Sequence, residues 1–102
     1  MIVEYIRYEM PPGEADALVG AYETAAKSLQ ASSHCLGYEL SRCSESAETF
    51  ILRILWDSAD GHLKGFRTSA EFAAFFAAVR PFVGQIKEMR HYEPTAVRWT
   101  RP

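Results

Sequence analysis

A chain of 102 residues supports one domain, and with 48% apolar and 13% aromatic residues it has the means to build a real core. Its 11 Lys and Arg and 13 Asp and Glu leave a net charge of −2, interspersed without a basic run or acidic tail, which argues against nucleic acid or an anionic membrane as the main partner. No apolar stretch approaches the roughly 18 residues that a bilayer span needs, and the opening Met1-Ile-Val-Glu-Tyr lacks an apolar leader, so a cytoplasmic protein is expected.

Ile2 to Glu9 alternates, with Ile2, Ile6 and Tyr8 set against Val3, Tyr5 and Arg7, and predicts a first strand. Met10-Pro-Pro-Gly13 stops it, because proline removes ladder donors and glycine permits a turn. Glu14 and Asp16 then stand where a helix N-terminus favours acids. Ala15, Leu18, Val19, Tyr22, Ala25, Ala26 and Leu29 recur at three- and four-residue steps, the apolar face of an amphipathic helix that ends at Ser32-Ser33. Cys35 to Arg42 reads as a second strand. The polar run Ser44 to Glu48 joins it as a hairpin to a third, Thr49 to Trp56, whose mostly apolar composition implies cover on both faces.

Asp57 or Ser58 can cap the next helix, which Gly61 and Gly65 make short or broken. Thr68 or Ser69 caps a further helix from Ala70 to about Arg80, with Phe72, Phe75, Phe76 and Val79 in one stripe and Pro81 at its end. Ile86 to Glu93 is the last strand, and residues 95–102 form a polar tail containing Trp99. The order is β-α-β-β-α-β, the split-βαβ, ferredoxin-like α+β arrangement in a single domain over residues 1–102. Helices cover only one face of such an antiparallel sheet. The other would carry Val3, Tyr5, Arg7, Ile51, Arg53 and Leu55, a mixed apolar face of the kind buried against a copy of itself, so a homodimer is expected. Arg7 and Arg53 are expected to form ion pairs there with Glu4, Glu39 or Glu88.

Four stretches together carry a family resemblance: Gly37-Tyr38-Glu39, Phe50 to Ser58, Ser69 to Phe76, and Met89-Arg90-His91-Tyr92-Glu93-Pro94. In this order and at this length the chain resembles the antibiotic biosynthesis monooxygenase domain, a small dimeric α+β barrel. The resemblance implies an oxygenase that acts with O₂ on a small aromatic or quinol-like substrate held between sheet and helices, without metal or flavin. Other relatives degrade haem, using an Asn on the first strand, a Trp ending the third and a His on the long helix. Trp56 matches the Trp, but Ile6 stands near the Asn position and Phe75-Phe76 at the His position, which removes the iron ligand.

The candidate catalytic residues are therefore Trp56, as a pocket wall with an N–H donor, and His62 and His91, as proton carriers near neutral pH. The ordinary expectation for His62 is nevertheless a solvent-exposed histidine, and either His91 or Tyr92 should face the helices. The candidate substrate contacts are Phe72, Phe76, Tyr38 and Ile6. No metal is expected, because three scattered histidines lack a carboxylate at matching spacing. Cys35 and Cys43, about 26 Å apart if extended, read as free thiols. The competing reading is a non-catalytic dimeric ligand-binding or accessory domain; haem binding or degradation is a minor third.

Overall fold

The computed structural model describes all residues from Met1 to Pro102. Strands β1 (Ile2–Glu9), β2 (Cys35–Arg42), β3 (Thr49–Trp56) and β4 (Ile86–Tyr92) form one antiparallel sheet in the order β2-β3-β1-β4. Helices α1 (Ala15–Ala31) and α2 (Ala70–Val79) lie on one face. This is the expected ferredoxin-like α+β fold, with strand bounds that follow the period-two patterning closely.

The core explains the arrangement. Phe50, Leu52, Ile54 and Trp56 of β3 and Ile6 and Tyr8 of β1 project to the helix side, where Leu18, Tyr22, Ala25 and Leu29 of α1 and Phe75 and Val79 of α2 close over them. Full burial of each large side chain contributes roughly 1.5–3 kcal/mol. β3 is not covered on both faces within one chain: burial alternates, leaving Ile51, Arg53 and Leu55 half-exposed on the open face beside Tyr5 and Arg7.

The expected ion pairs on that face do not include Glu4. Arg7 instead reaches Glu9 at 2.7 Å, and Glu4 points to the helix side, as the period of two requires for a residue in step with Ile2, Ile6 and Tyr8. On β4, His91 is paired in register with Glu4, while Tyr92 packs edge-on against Tyr5 on the open face, so His91 is the one that faces the helices.

Between β3 and α2 the chain makes a wide π-type turn over Gly61–Gly65 and a 3₁₀ turn over Phe66–Thr68. Ser58 Oγ accepts the Gly61 N–H at 2.8 Å and so caps the first; Ser69 Oγ accepts the Phe72 N–H at 3.3 Å and caps α2. The glycines have a steric reason. A Cβ at Gly61 would run into the Asp57 carboxyl, and one at Gly65 into the His34 imidazole, two groups bonded to each other at 2.9 Å. This close approach presses the turn against the ends of β2 and β3, which turns His62 inward.

Candidate functional site

Four elements converge at one end of the sheet. β1 supplies Glu4, β3 ends in Trp56, the π-turn brings His62, and β4 brings His91. Glu4 and His62 are each only 2% exposed. The His62 ring stacks on the Trp56 indole, 4.3 Å between centroids and 8° from parallel, while the indole N–H donates to Glu4 Oε1 at 3.1 Å. The sandwich fixes both the His62 plane and the carboxylate.

His62 Nδ1 lies 2.8 Å from His91 Nε2, and Arg67 Nε donates to His62 Nε2 at 3.4 Å. Because a guanidinium has no lone pair to offer, His62 Nε2 must accept. The network therefore assigns the His62 proton to Nδ1, which donates to His91 Nε2. Glu4 stands 3.6 Å from His62 Nε2 and 3.7 Å from His91 Nε2. His91, with its side chain 34% exposed, connects this buried group to solvent.

Burial dominates the electrostatics. It pushes the Glu4 carboxyl above its ordinary value, against the opposing pull of the Trp56 hydrogen bond and the charges of His91 and Arg67. Burial, helped by the charge of Arg67 and by the neighbouring His91 imidazole, lowers the His62 imidazole to about 4, so it is neutral at pH 7.

The site opens into a cavity of about 160 Å³ between the sheet and α2. Glu4, His62 and Arg67 occupy its polar end; Ile6, Ile54, Trp56, Phe66, Phe72 and Phe75 form much of the apolar wall. An apolar cavity of about 150 Å³ is enough to hold a benzene ring. Phe76, 40% exposed, and Val83 stand at the mouth.

The structure thus brings together Trp56, His62, Phe72, Phe76 and Ile6 around one cavity, with His91 directly behind His62. His62 is buried rather than solvent-exposed. Tyr38 lies elsewhere: β2 is the edge strand under α1, and Tyr38 lines a separate groove there with Val19, Lys27 and Leu40, its hydroxyl bonded to Gln30. Sequence reasoning missed Glu4 and Arg67. Glu4 could have been found from its parity, since it is a charged residue in step with a buried apolar set.

Glu4 also supplies the carboxylate that the histidine spacing had not offered, so a two-histidine, one-carboxylate donor set does exist, with its atoms within 4.8 Å of one another. Such a set suits a divalent transition metal. Here the fixed charge of Arg67, 3.4 Å from His62 Nε2, opposes a second cation, and the Nδ1–Nε2 contact already satisfies both histidines. The arrangement fits proton handling better than metal binding.

A four-stranded antiparallel sheet with helices on one face, enclosing an aromatic cavity that ends on a buried acid–histidine cluster, places the chain among the ferredoxin-like α+β domains. The chain belongs to the antibiotic biosynthesis monooxygenase family, whose model matches residues 1–78. It is similar to the uncharacterized protein YczJ of Bacillus subtilis (strain 168), 23% identical over 93 residues that span 91% of this chain and 98% of that protein. Among solved structures it is similar to a candidate antibiotic biosynthesis monooxygenase of Bordetella bronchiseptica, with 22% identity, a TM-score of 0.74, and 92% and 96% of the two chains covered. It is also similar to a conserved protein of Methanosarcina mazei Go1, with 15% identity, a TM-score of 0.76 and 92% of each chain covered. At these identities the structural likenesses establish the fold. No helix is long and apolar enough to cross a membrane.

Proposed function

We infer that this family member is a monooxygenase that oxidises a small phenolic or quinol-like aromatic substrate with O₂, calling on no metal or flavin. One observation carries the reading: a ring-sized apolar cavity ends on a buried imidazole whose proton has an exit through a second imidazole. The substrate hydroxyl displaces the long Arg67 contact at His62 Nε2 and gives that nitrogen its proton, while the Nδ1 proton passes to His91 and on to solvent. An imidazole at about 4 is a weak base, so the transfer relies on the phenolate forming beside the fixed positive charge of Arg67, which balances it.

The phenolate is then electron-rich enough to give one electron to O₂. In this enol form the activated CH₂ of the keto tautomer is a ring CH, its other hydrogen being the hydroxyl proton already removed. The substrate radical and superoxide combine at that carbon, a proton returns from solvent to give the CH–OOH hydroperoxide, and loss of water leaves C=O. In balance, a CH₂ becomes C=O; one oxygen atom enters the product, and the other leaves as water with the two hydrogens of the CH₂. The protein's share is orientation and exclusion of water by the Trp56 and Phe72 walls.

The reading includes a homodimer in which the open sheet face, with Tyr5, Ile51 and Leu55 half-exposed, packs against its copy. A second reading, a ligand-binding domain without turnover, draws on the small size of the cavity, below the usual 300–1,000 Å³ of small-molecule sites. That size also leaves no room for a haem macrocycle.

Oxygen uptake with a panel of anthrones, hydroquinones and flavonols tests the proposal. Uptake by the wild type that chelators leave unchanged, and that His62→Ala abolishes with the fold intact, is the expected result. Ligand binding without uptake by any compound would move the weight to the second reading.

A further inference from the structure

The cavity has a second polar end that the chemistry above does not use. Tyr8 on β1 and Tyr22 on α1 both line it, and their hydroxyls meet at 2.6 Å. The two residues are 1% and 5% exposed. Two hydroxyls carry two protons, and their mutual hydrogen bond uses one. Neither hydroxyl makes another hydrogen bond, so one O–H donor is left over beside a largely apolar cavity. Leaving a buried donor without an acceptor is costly, and burial keeps both phenols protonated, so they serve as donors rather than as bases.

Tyr8 follows Glu4 by four residues on the same face of β1, which puts their Cα atoms roughly 13 Å apart along the strand with Ile6 between them. The cavity therefore presents a proton acceptor at one end and a spare hydrogen-bond donor at the other.

We propose that the Tyr8–Tyr22 hydroxyl pair is a specificity element that binds an uncharged acceptor oxygen, carbonyl or ether, on the side of the substrate opposite its ionisable hydroxyl. This deepens the functional reading above and rests on it for the orientation of the ligand. The substrate class narrows to aromatics with an acidic hydroxyl at one end and an acceptor oxygen across the ring. In the bound state the pair forms a chain in which one tyrosine donates to the ligand and accepts from the other, and each bond polarises the next.

The test compares 4-hydroxyacetophenone with 4-ethylphenol, which has an ethyl group in place of the acetyl, by titration calorimetry on wild type and on the double variant Tyr8→Phe/Tyr22→Phe. Replacing both partners of a buried hydrogen bond with rings of the same shape is close to neutral for folding, so the double variant remains a fair comparison. The wild type is expected to favour the ketone by about ten-fold, although ethylphenol is the more apolar, and the double variant is expected to lose that preference. Single Tyr→Phe variants then identify which hydroxyl faces the ligand.

Equal affinities in the wild type, meaning that a water serves the spare proton, would overturn the proposal, as would a preference that survives in the double variant or no binding of either compound. Failure of the oxygenase reading gives a different pattern. The ketone preference and its loss would both be seen, but no bound aromatic would be turned over with O₂.

Discussion

Lowering the pH from 7 to 5 should place a load on His62 that can be measured as stability. In the unfolded chain this imidazole has an ordinary value near 6.5; in the fold it is lowered to about 4. A base with a depressed folded value contributes stability that is present above the unfolded value and lost as pH falls towards the folded one. At pH 5 the unfolded chain has taken up nearly a full proton at this site and the fold has not. The relative stabilisation of the unfolded state is about 2 kcal/mol, rising to about 3 kcal/mol by pH 4.

Glu4 acts with the opposite sign. Its raised carboxyl contributes stability that is present at low pH and lost as pH rises through the folded value, so the two groups partly mask each other. Glu4→Gln unmasks the histidine, since the depression of His62 comes from burial, Arg67 and His91 and not from Glu4. Urea unfolding at fixed protein concentration, at pH 7 and pH 5, would compare Glu4→Gln with Glu4→Gln/His62→Gln. The single variant should lose about 2 kcal/mol more than the double variant between the two pH values, or roughly 1 M in urea midpoint. Parallel pH dependences in the two variants would refute the assignment of a buried, neutral His62.

Three further outcomes are expected. Trp56→Phe keeps an aromatic wall but removes the N–H that satisfies Glu4 Oε1; it should cost about 1–3 kcal/mol and raise the Glu4 carboxyl further, read by NMR titration of its carboxyl carbon. Gly65→Ala drives a methyl group into the His34 imidazole and should cost about 1–3 kcal/mol in chemical denaturation, whereas an Ala that costs nothing would show that the π-turn is not pressed onto β2. By size-exclusion chromatography the wild type is expected to run as a dimer and Leu55→Asp, on the open sheet face, as a folded monomer; a variant that stays dimeric would place the interface elsewhere.

The strands, both helices and the helix-facing set of β3 were legible because period-two and period-3.6 patterning report local geometry. The cavity's chemistry was less so, because it is long-range. Glu4, His62 and His91 are scattered along the chain and meet only when β4 pairs with β1 and the π-turn folds over β3. The burial of His62 depends on Gly61 and Gly65 clearing His34 and Asp57, which sequence reading could register only as a broken helix. Tyr38 failed as a cavity residue for the same reason. Its parity is correct, but its strand is at the wrong edge of the sheet.

β1 sets both the length and the polarity of the cavity. Glu4, Ile6 and Tyr8 fall on one face by strand geometry alone, so the distance between an acid and a phenol is fixed by a rigid central element rather than by a loop. Each end is then completed from elsewhere: Tyr22 of α1 joins Tyr8, and the π-turn and β4 deliver the two imidazoles to Glu4. Burying an acid and a base side by side has a further consequence. Their opposite linkages flatten the stability of the fold against pH while keeping His62 neutral and the Glu4 carboxyl above its ordinary value. Substituting one member alone should therefore steepen the pH dependence of folding in the direction set by the member that remains.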